Sequence, residues 1–243
     1  SGSELRRGKA FDLPAMHVLE TAGYAVIKGN HDNKPYVICI LASSLCKTHK
    51  HEDNLSFTLW FDGIEWLVDP SFYSYEYDSD LPSYLRSASA HNCIGIPDVK
   101  YSIAPGKTRI AGVSDSNSYT INSDHFSYEN ITVSREFSGE LYQLNLKLTE
   151  CISANTQISA FLTNHLSENV TVTYIHNDFV LSHPDSEYEI VFKFDDSFLL
   201  EDVSSDEKIV GLTFMQSAHA EVVRHKLNGN KDGSWTIFAK KKD

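Results

Sequence analysis

Short runs of residues that alternate between apolar and polar side chains recur along almost the whole chain. Examples are "YAVIKGN", "LSFTLWF", "NITVSREF" and "LYQLNLKL". A period of two places successive side chains on opposite faces of a β-strand, so that one face can pack in a core. Gly, Asn, Asp and Ser separate the runs, as is typical of turns. The pattern predicts an all-β fold of antiparallel strands, with layered β-sheets packed as a sandwich or closed as a barrel.

One turn is specified more strongly than the others. Asp62-Gly63 joins "LSFTLWF" to "IEWLVD", and this dipeptide is typical of a two-residue β-hairpin. Such a turn pairs Phe61 with Ile64, and an unbroken ladder then pairs Ser56 with Asp69.

A chain of 243 residues is long enough for one large β domain, or for one domain and a small appendage. The stretch "CISANTQISAFLTNHLSEN" interrupts the alternation. We therefore expect a β-sandwich domain over residues 10–155, with residues 156–243 as its continuation or as a small C-terminal β subdomain. Two stretches, "AFDLPAMHVLETAG" and "LPSYLRSASAHN", are weak candidates for helices.

Charge and composition exclude several classes of function. The net charge of −12 argues against nucleic acid and against an anionic membrane surface as partners. The longest apolar runs are shorter than the roughly 18 to 20 residues that span a bilayer. The four cysteines form no C-x-x-C pair, which excludes a zinc ribbon on spacing. Buried free thiols and one disulfide both remain open.

Ionisable residues cluster just before the hairpin. His49, His51 and Asp53 alternate, and an extended backbone would place both imidazoles on one side, roughly 6.5 to 7 Å apart. Neutral imidazoles with a carboxylate suit a divalent transition metal, zinc foremost. Asp53, Asp69 and His91 are candidates to complete the set. With a regular hairpin, His51 and Asp69 can meet only if the histidine segment bends back.

The segment after the hairpin is rich in tyrosine and ends near an arginine. Tyr73, Tyr75, Tyr77 and Tyr84 lie between Asp69 and His91, together with Arg86. A phenol beside a cation can donate or accept a proton, and Arg86 is a cation that could hold a carboxylate in an acidic chain. The alternative is that the tyrosines pack the edge of the sandwich.

These stretches resemble a known family. "HKHEDNLSFTLWFDGIEWLVDPSFYSY" and "YLRSASAHN" are similar, over about 45 residues, to the heparinase II/III-like polysaccharide lyases, which are related to alginate lyases. The family pattern is His-x-His-x-Asp-x-x-Ser-Phe, a hairpin, Asp-Pro-Gly-x-x-x-Tyr, and then Arg-Ser-x-x-Ala-His-Asn. "TAGYAVIKGN" also fits the family's lead-in strand.

The resemblance implies a role for each motif residue. His49 would belong to the active site, and Tyr77 would assist proton transfer. Arg86 would bind the substrate carboxylate, with Tyr75 beside the substrate. The metal ligands implied for a structural Zn²⁺ are His51, Asp69 and His91. The implied reaction is β-elimination in a polysaccharide that contains uronic acid.

The resemblance also implies partners, and the sequence departs from the family pattern in two ways. Ser71 replaces the family's glycine after Asp-Pro, so we expect a different turn there, because serine does not readily adopt a positive φ. The family's N-terminal α/α toroid is not present in this sequence. We therefore expect an acidic polysaccharide substrate, a toroid domain as partner, little activity from this chain alone, and a periplasmic or secreted bacterial setting.

Two other interpretations stay open on the sequence. One is a non-catalytic carbohydrate-binding or structural β module that keeps the metal motif as a clamp. The other is a cupin-like metalloenzyme, since cupins also use His-x-His, a carboxylate and a later histidine.

Overall fold

A computed structural model describes residues 14–45, 49–76, 79–203, 205–213, 215–227 and 232–242. Within these residues antiparallel strands dominate, which confirms the predicted all-β antiparallel sandwich. None of the helices in the described ranges has the length and apolar character needed to cross a bilayer.

The first sheet is a meander of five strands in chain order. They are β1 (Ala15–Leu19), β2 (Tyr24–His31), β3 (Lys34–Leu41), β4 (Ser56–Phe61) and β5 (Ile64–Leu67). A short connection follows, with helix α1 (Asp80–Arg86) and a 3₁₀ turn at Ala88–Ala90. This helical segment confirms the second of the two helix candidates.

The remaining strands form three further sheets. They are β6 (Ile94–Gly95), β7 (Thr108–Ser114), β8 (Ser118–His125), β9 (Ile131–Glu140), β10 (Gln143–Ala154), β11 (Ala160–His165), β12 (Thr171–Ile175), β13 (Asp178–Ser182), β14 (Tyr188–Phe194), β15 (Phe198–Glu201), β16 (Ile209–Thr213), β17 (Gln216–His219), β18 (Val222–Leu227) and β19 (Gly233–Lys241). A 3₁₀ turn spans Ser205–Glu207. The sheet orders are β12-β13-β14-β19-β10-β9-β8-β7, β15-β18-β11-β6 and β16-β17.

The main core lies between the five-stranded and eight-stranded sheets. The Phe57 ring of β4 contacts Phe137 of β9 and Trp235 of β19, with ring centroids 5.5 and 6.0 Å apart. All three side chains are almost completely buried. Burial of aromatic side chains on this scale is a major stabilising contribution.

Strands from both halves of the chain share the eight-stranded sheet. β10 pairs with β19, with Leu148 opposite Trp235, and β14 pairs with the other edge of β19. The stretch that interrupts the alternation begins in the last residues of β10 and includes β11, where the chain leaves this sheet and enters the four-stranded one.

The prediction of a helix at "AFDLPAMHVLETAG" is wrong for the described part of that stretch. β1 pairs with β2 over five residues, from Ala15 opposite Lys28 to Leu19 opposite Tyr24. Pairing with a neighbouring strand overrides the weak helical pattern here.

The hairpin prediction is right at the turn and wrong farther along. Phe61 pairs with Ile64, but Leu59 then pairs with Leu67, a slip of one residue. The slip is a β-bulge that accommodates the buried Trp66, whose indole N–H donates to the Phe61 carbonyl at 3.2 Å. The pairing of Ser56 with Asp69 therefore does not form.

The thiols of the described cysteines are all free. Cys93 is buried as expected, whereas Cys39 is exposed and Cys151 is half-buried. Cys46 lies outside the described residues.

Candidate metal centre and active-site cleft

The segment that carries the two histidines is a bend rather than a strand. His49 and Leu55 have φ angles of 57° and 66°, in the left-handed region that is costly for residues with a Cβ. A turn in which the Ser56 N–H donates to the Asp53 carbonyl at 3.1 Å then leads into β4. The required bend is present, and the expectation that His49 and His51 lie on one side of a strand is wrong.

Because of this bend, the two imidazoles have different surroundings. The exposed His49 lies 5.7 Å from Tyr75, centroid to centroid, in an edge-on contact. The half-buried His51 lies 5.3 Å from the ring of His91. One histidine is therefore open to a ligand in solution, while the other faces the interior.

His91 is fully buried and is held by a carboxylate. Its Nδ1 donates to Oδ2 of Asp69 at 2.9 Å, and Asp69 Oδ1 accepts from the Ser71 N–H at 2.9 Å. Among the described residues, His91 Nε2 has no hydrogen-bond partner although it is buried. A buried nitrogen without a partner is costly unless something binds it.

Charges around the cluster favour the ligand forms of these groups. Burial, reinforced by the charge of His91, lowers the pKa of His51 to about 4, so its imidazole is neutral at neutral pH. Burial raises the pKa of Asp69, but the charge of His91 and hydrogen bonds from His91 and Ser71 outweigh it, and the pKa lies well below its usual value. Neutral imidazole and ionised carboxylate are the forms that bind a metal.

Two carboxylates lie close to the histidines. One ligand atom each from His51, Asp53 and His91 can be chosen within 4.8 Å of one another. Asp53, however, forms an ion pair with Lys50, so a cation already balances its charge. Because Nδ1 of His91 donates to Asp69, the buried Nε2, which has no partner among the described residues, is the ring nitrogen left to bind a metal. The side chains present fit a zinc ion.

A cleft of about 300 Å³ opens beside this cluster. Its walls bring together all the predicted site residues of the described chain except His91. The lining residues are His49, Lys50, His51, Asp53, Asp69, Ser71, Phe72, Tyr75 and Arg86. His91 lies behind the cleft, buried against Asp69. Tyr77 lies outside the described residues.

Tyr75 and Arg86 reach the cleft from different elements. Arg86 is the last residue of α1, and Glu52 donates its N–H to the Arg86 carbonyl at 2.9 Å, which ties the helix to the histidine segment. Tyr75 is 57% exposed, so it does not pack the interior of the sandwich.

Ser71 keeps the backbone conformation that the family's glycine would favour. Its φ is 64°, so the expectation of a different turn is wrong in this respect. The hydrogen bond from its N–H to Asp69 accounts for the conformation, because that bond closes a turn over the Asp-Pro-Ser sequence.

Sequence reasoning missed a buried ion pair behind the site. Arg135 of β9 and Glu150 of β10 are 1% and 0% exposed, and Nε of Arg135 donates to Oε1 of Glu150 at 2.7 Å. The signal was present in the sequence. Arg135 falls between the inward-facing Val133 and Phe137, so a charge occupies a core position of an alternating strand.

Comparison with known proteins gives one family match and several structural neighbours. The model of the heparinase II/III-like C-terminal family matches residues 12–235. No curated protein has significant sequence similarity to the chain.

Two solved structures illustrate the structural similarity. The heparan sulfate lyase HepC from Pedobacter heparinus superimposes with a TM-score of 0.84 at 14% identity, over 98% of this chain and 38% of that one. A heparinase III superimposes with a TM-score of 0.74 at 14% identity, over 94% and 37%.

This chain thus spans less than two-fifths of the length of these neighbours. At such identity the superpositions show a shared fold, while the family match covers most of the sequence. The chain belongs to the heparinase II/III-like C-terminal family.

Proposed function

We propose that this chain is the β domain of a polysaccharide lyase that cleaves a polymer containing uronic acid by β-elimination. The observation that carries the proposal is the position of the exposed His49. It stands in a cleft with Tyr75 and Arg86, directly beside the pair formed by the buried His91 and the half-buried Asp69. In this proposal an α/α toroid domain of the same protein completes the substrate site.

The reaction makes three demands on the groups in the cleft. The uronate carboxylate must be neutralised so that the C5 proton becomes acidic, a base must remove that proton, and the 4-linked oxygen must leave with a proton. The C4–O bond breaks as a C4=C5 double bond forms. Arg86 would bind the carboxylate, since a guanidinium matches it with two parallel hydrogen bonds.

His49 and the tyrosines would handle the protons. An imidazole can exchange protons near neutral pH, and His49 is the exposed histidine of the cleft. Tyr77 would assist proton transfer, and Tyr75 would contact the sugar beside His49. The edge-on contact of Tyr75 with His49 supports this pairing.

Zinc would have a structural role, held by His51, Asp69 and His91. A bound ion of this kind joins three chain segments: the bend, the end of the hairpin and the loop after α1. Since metal binding energy contributes to folding, the ion would fix the position of His49 without touching substrate. The buried, unpartnered Nε2 of His91 and the ionised Asp69 support this assignment.

Metal content of the purified chain tests the zinc assignment. We expect about one zinc per chain by inductively coupled plasma mass spectrometry, as for a structural site. His51→Ala and Asp69→Asn should lose it because each removes a ligand. Asp53→Asn is the matched control and should retain zinc, because Lys50 already pairs with Asp53. A zinc-free native protein, or loss in Asp53→Asn alone, contradicts the ligand set.

The role of His49 is tested by elimination activity. In the protein that carries both domains, His49→Ala should lower the formation of unsaturated uronate by at least ~100-fold, the usual contribution of a proton-transfer group. Zinc content and thermal stability should be unchanged. His17→Ala, at an exposed histidine of β1, is the control and should keep full activity. Binding of the polysaccharide without any elimination would favour the carbohydrate-binding module instead.

A further inference from the structure

The guanidinium of Arg135 joins three segments that meet behind the site. Nη1 donates to the Leu55 carbonyl at 2.6 Å and to the Asn92 carbonyl at 2.8 Å, while Nε binds Glu150. Leu55 ends the bend that carries His49 and His51, and Asn92 directly follows His91. One side chain of the eight-stranded sheet therefore hydrogen-bonds to both segments that carry the histidines of the site.

The surroundings of Arg135 exclude water. Its guanidinium lies 5.6, 5.7 and 6.0 Å from the ring centroids of Phe57, Phe137 and Trp235. Trp235 also donates its indole N–H to Glu150 at 3.0 Å. A buried ion pair of this kind is weak evidence for stability, because apolar side chains of similar volume often serve equally well. Its specific property is that a planar fork of donors can bind several acceptors in fixed directions.

Asn92 extends the same connection to the neighbouring strands. Its side-chain amide donates to the carbonyls of Phe57 and Val68 at 2.7 and 2.8 Å, and its Oδ1 accepts from the His165 N–H at 2.6 Å. The backbone beside His91 is thus fixed from β4, from the end of β5 and from β11. The loop also reaches the bend directly, through the Asn92 N–H to Ser56 Oγ at 3.2 Å and the Cys93 thiol to the Glu52 carbonyl at 3.7 Å. Arg135 adds shorter, charged hydrogen bonds that bind the Leu55 and Asn92 carbonyls with one side chain.

We propose that Arg135, paired with Glu150, is the positioning residue that sets the bend of His49 and His51 against the loop of His91. The inference rests on the proposed function insofar as it concerns zinc. Arg135 contacts neither metal nor substrate in this proposal. Arg135 acts through two backbone carbonyls, and its bond to Glu150 orients the guanidinium.

The test separates positioning from general stability. In Arg135→Met/Glu150→Met both charges are replaced by apolar side chains, so the fold keeps its core while the two carbonyls lose their donor. We expect zinc to bind at least ~10-fold more weakly, the usual effect of losing a group that orients ligands. Amide hydrogen exchange of the zinc-free protein should rise at residues 49–56 and 91–93 and stay unchanged in β13 and β14.

Glu150→Gln is the matched control. It removes the negative charge of the partner, which lowers global stability. The amide oxygen of glutamine can still accept from Nε of Arg135, so the guanidinium keeps its orientation and its donors to Leu55 and Asn92. Zinc affinity in this variant should stay within ~3-fold of the wild type, far from the loss expected when orientation is lost. If instead zinc affinity follows the unfolding midpoint across all variants, Arg135 has only a structural role and the proposal is overturned.

A second variant and the exchange of the zinc-free proteins decide the role of Arg135 if the first test cannot. If the double variant does not fold, Arg135→Lys replaces it, because an ammonium retains the pair with Glu150 but lacks the fork; the same local rise in exchange is expected. If the wild-type chain binds no zinc, the zinc assignment fails, and the exchange pattern of the zinc-free variants still decides the role of Arg135. Unchanged exchange at both segments would overturn it.

Discussion

Single residues with unfavourable backbone angles occur in the segments that form the cleft, as they do in turns elsewhere in the described chain. His49, Leu55 and Ser71 all have positive φ, and each sits where the chain must change direction to present a site residue. For residues with a Cβ such angles cost free energy that the surrounding contacts must offset. Strain at these positions therefore reports which backbone geometry the site requires.

Ser71→Gly should relieve one of these strains. The substitution removes the Cβ at φ 64° and keeps the N–H that binds Asp69. The relief of about 1 to 2 kcal/mol exceeds the added entropy of glycine in the unfolded chain, so we expect a net gain of roughly 0.5 to 1 kcal/mol. Denaturant unfolding of the zinc-free protein measures it.

Ser71→Ala serves as the control for this prediction. It removes the hydroxyl but keeps the Cβ, so its free energy of unfolding should not rise. A gain from alanine equal to that from glycine would show that the hydroxyl, not the backbone angle, is responsible.

The sequence predicted which residues cluster in the cleft, but it did not predict the buried side chain that binds the backbone behind them. His49, His51, Asp69 and Arg86 share one cleft because short spacings and one hairpin bring them together. Arg135 is 80 positions from Leu55, the residue it binds. Only the packing of two sheets brings such residues together, and no local spacing encodes that packing.

At the scale of elements, the strand pattern predicted which segments extend, and side-chain volume decided how they pair. The turn at Asp62-Gly63 fixed Phe61 opposite Ile64. The buried Trp66 then introduced a bulge that shifted the remaining pairs by one residue. A bulge re-aims the strand that follows it, and here that strand leads to Asp69.

In the histidine segment, too, the alternating pattern did not predict the backbone conformation. Alternation of His49, His51 and Asp53 is typical of a strand, but these residues lie in a bend and line the cleft. A period of two in polar residues has no core face to select it. Hydrophobic alternation, by contrast, predicted β4 correctly, because its apolar face is buried against β9 and β19.

At the scale of the whole molecule, buried neutral histidines link folding to pH. Burial lowers the pKa of His225 to about 4, against a partly opposing hydrogen bond to Asn177. Burial, with the charges of Lys50 and Arg135, lowers the pKa of His125 to about 3. In the unfolded chain both titrate near 6.5. Below that pH the unfolded state therefore binds protons that the folded state does not, and stability falls as the pH drops from 6.5 toward 4.

His225→Gln isolates one part of this dependence. In the wild type, Nε2 of His225 donates to the Asn177 carbonyl at 2.7 Å, and the ring stacks on Phe194 at 3.8 Å. Glutamine keeps a donor but loses the stacking and the titration, so the variant should be less stable at pH 7. Because only the wild type loses the His225 contribution in acid, the difference in the free energy of unfolding should shrink by roughly 3 kcal/mol between pH 7 and pH 4.

Urea unfolding at several pH values, with each protein freed of metal, measures this difference. His219→Gln, at an exposed histidine of β17, is the control for removing a surface histidine. A difference between wild type and His225→Gln that stays constant from pH 7 to pH 4 would mean that His225 takes up its proton in the folded state as readily as in the unfolded one. Water would then have to reach the His225 ring where it stacks on Phe194. The four-stranded sheet would cover that side of the core less completely than the burial of His225 indicates.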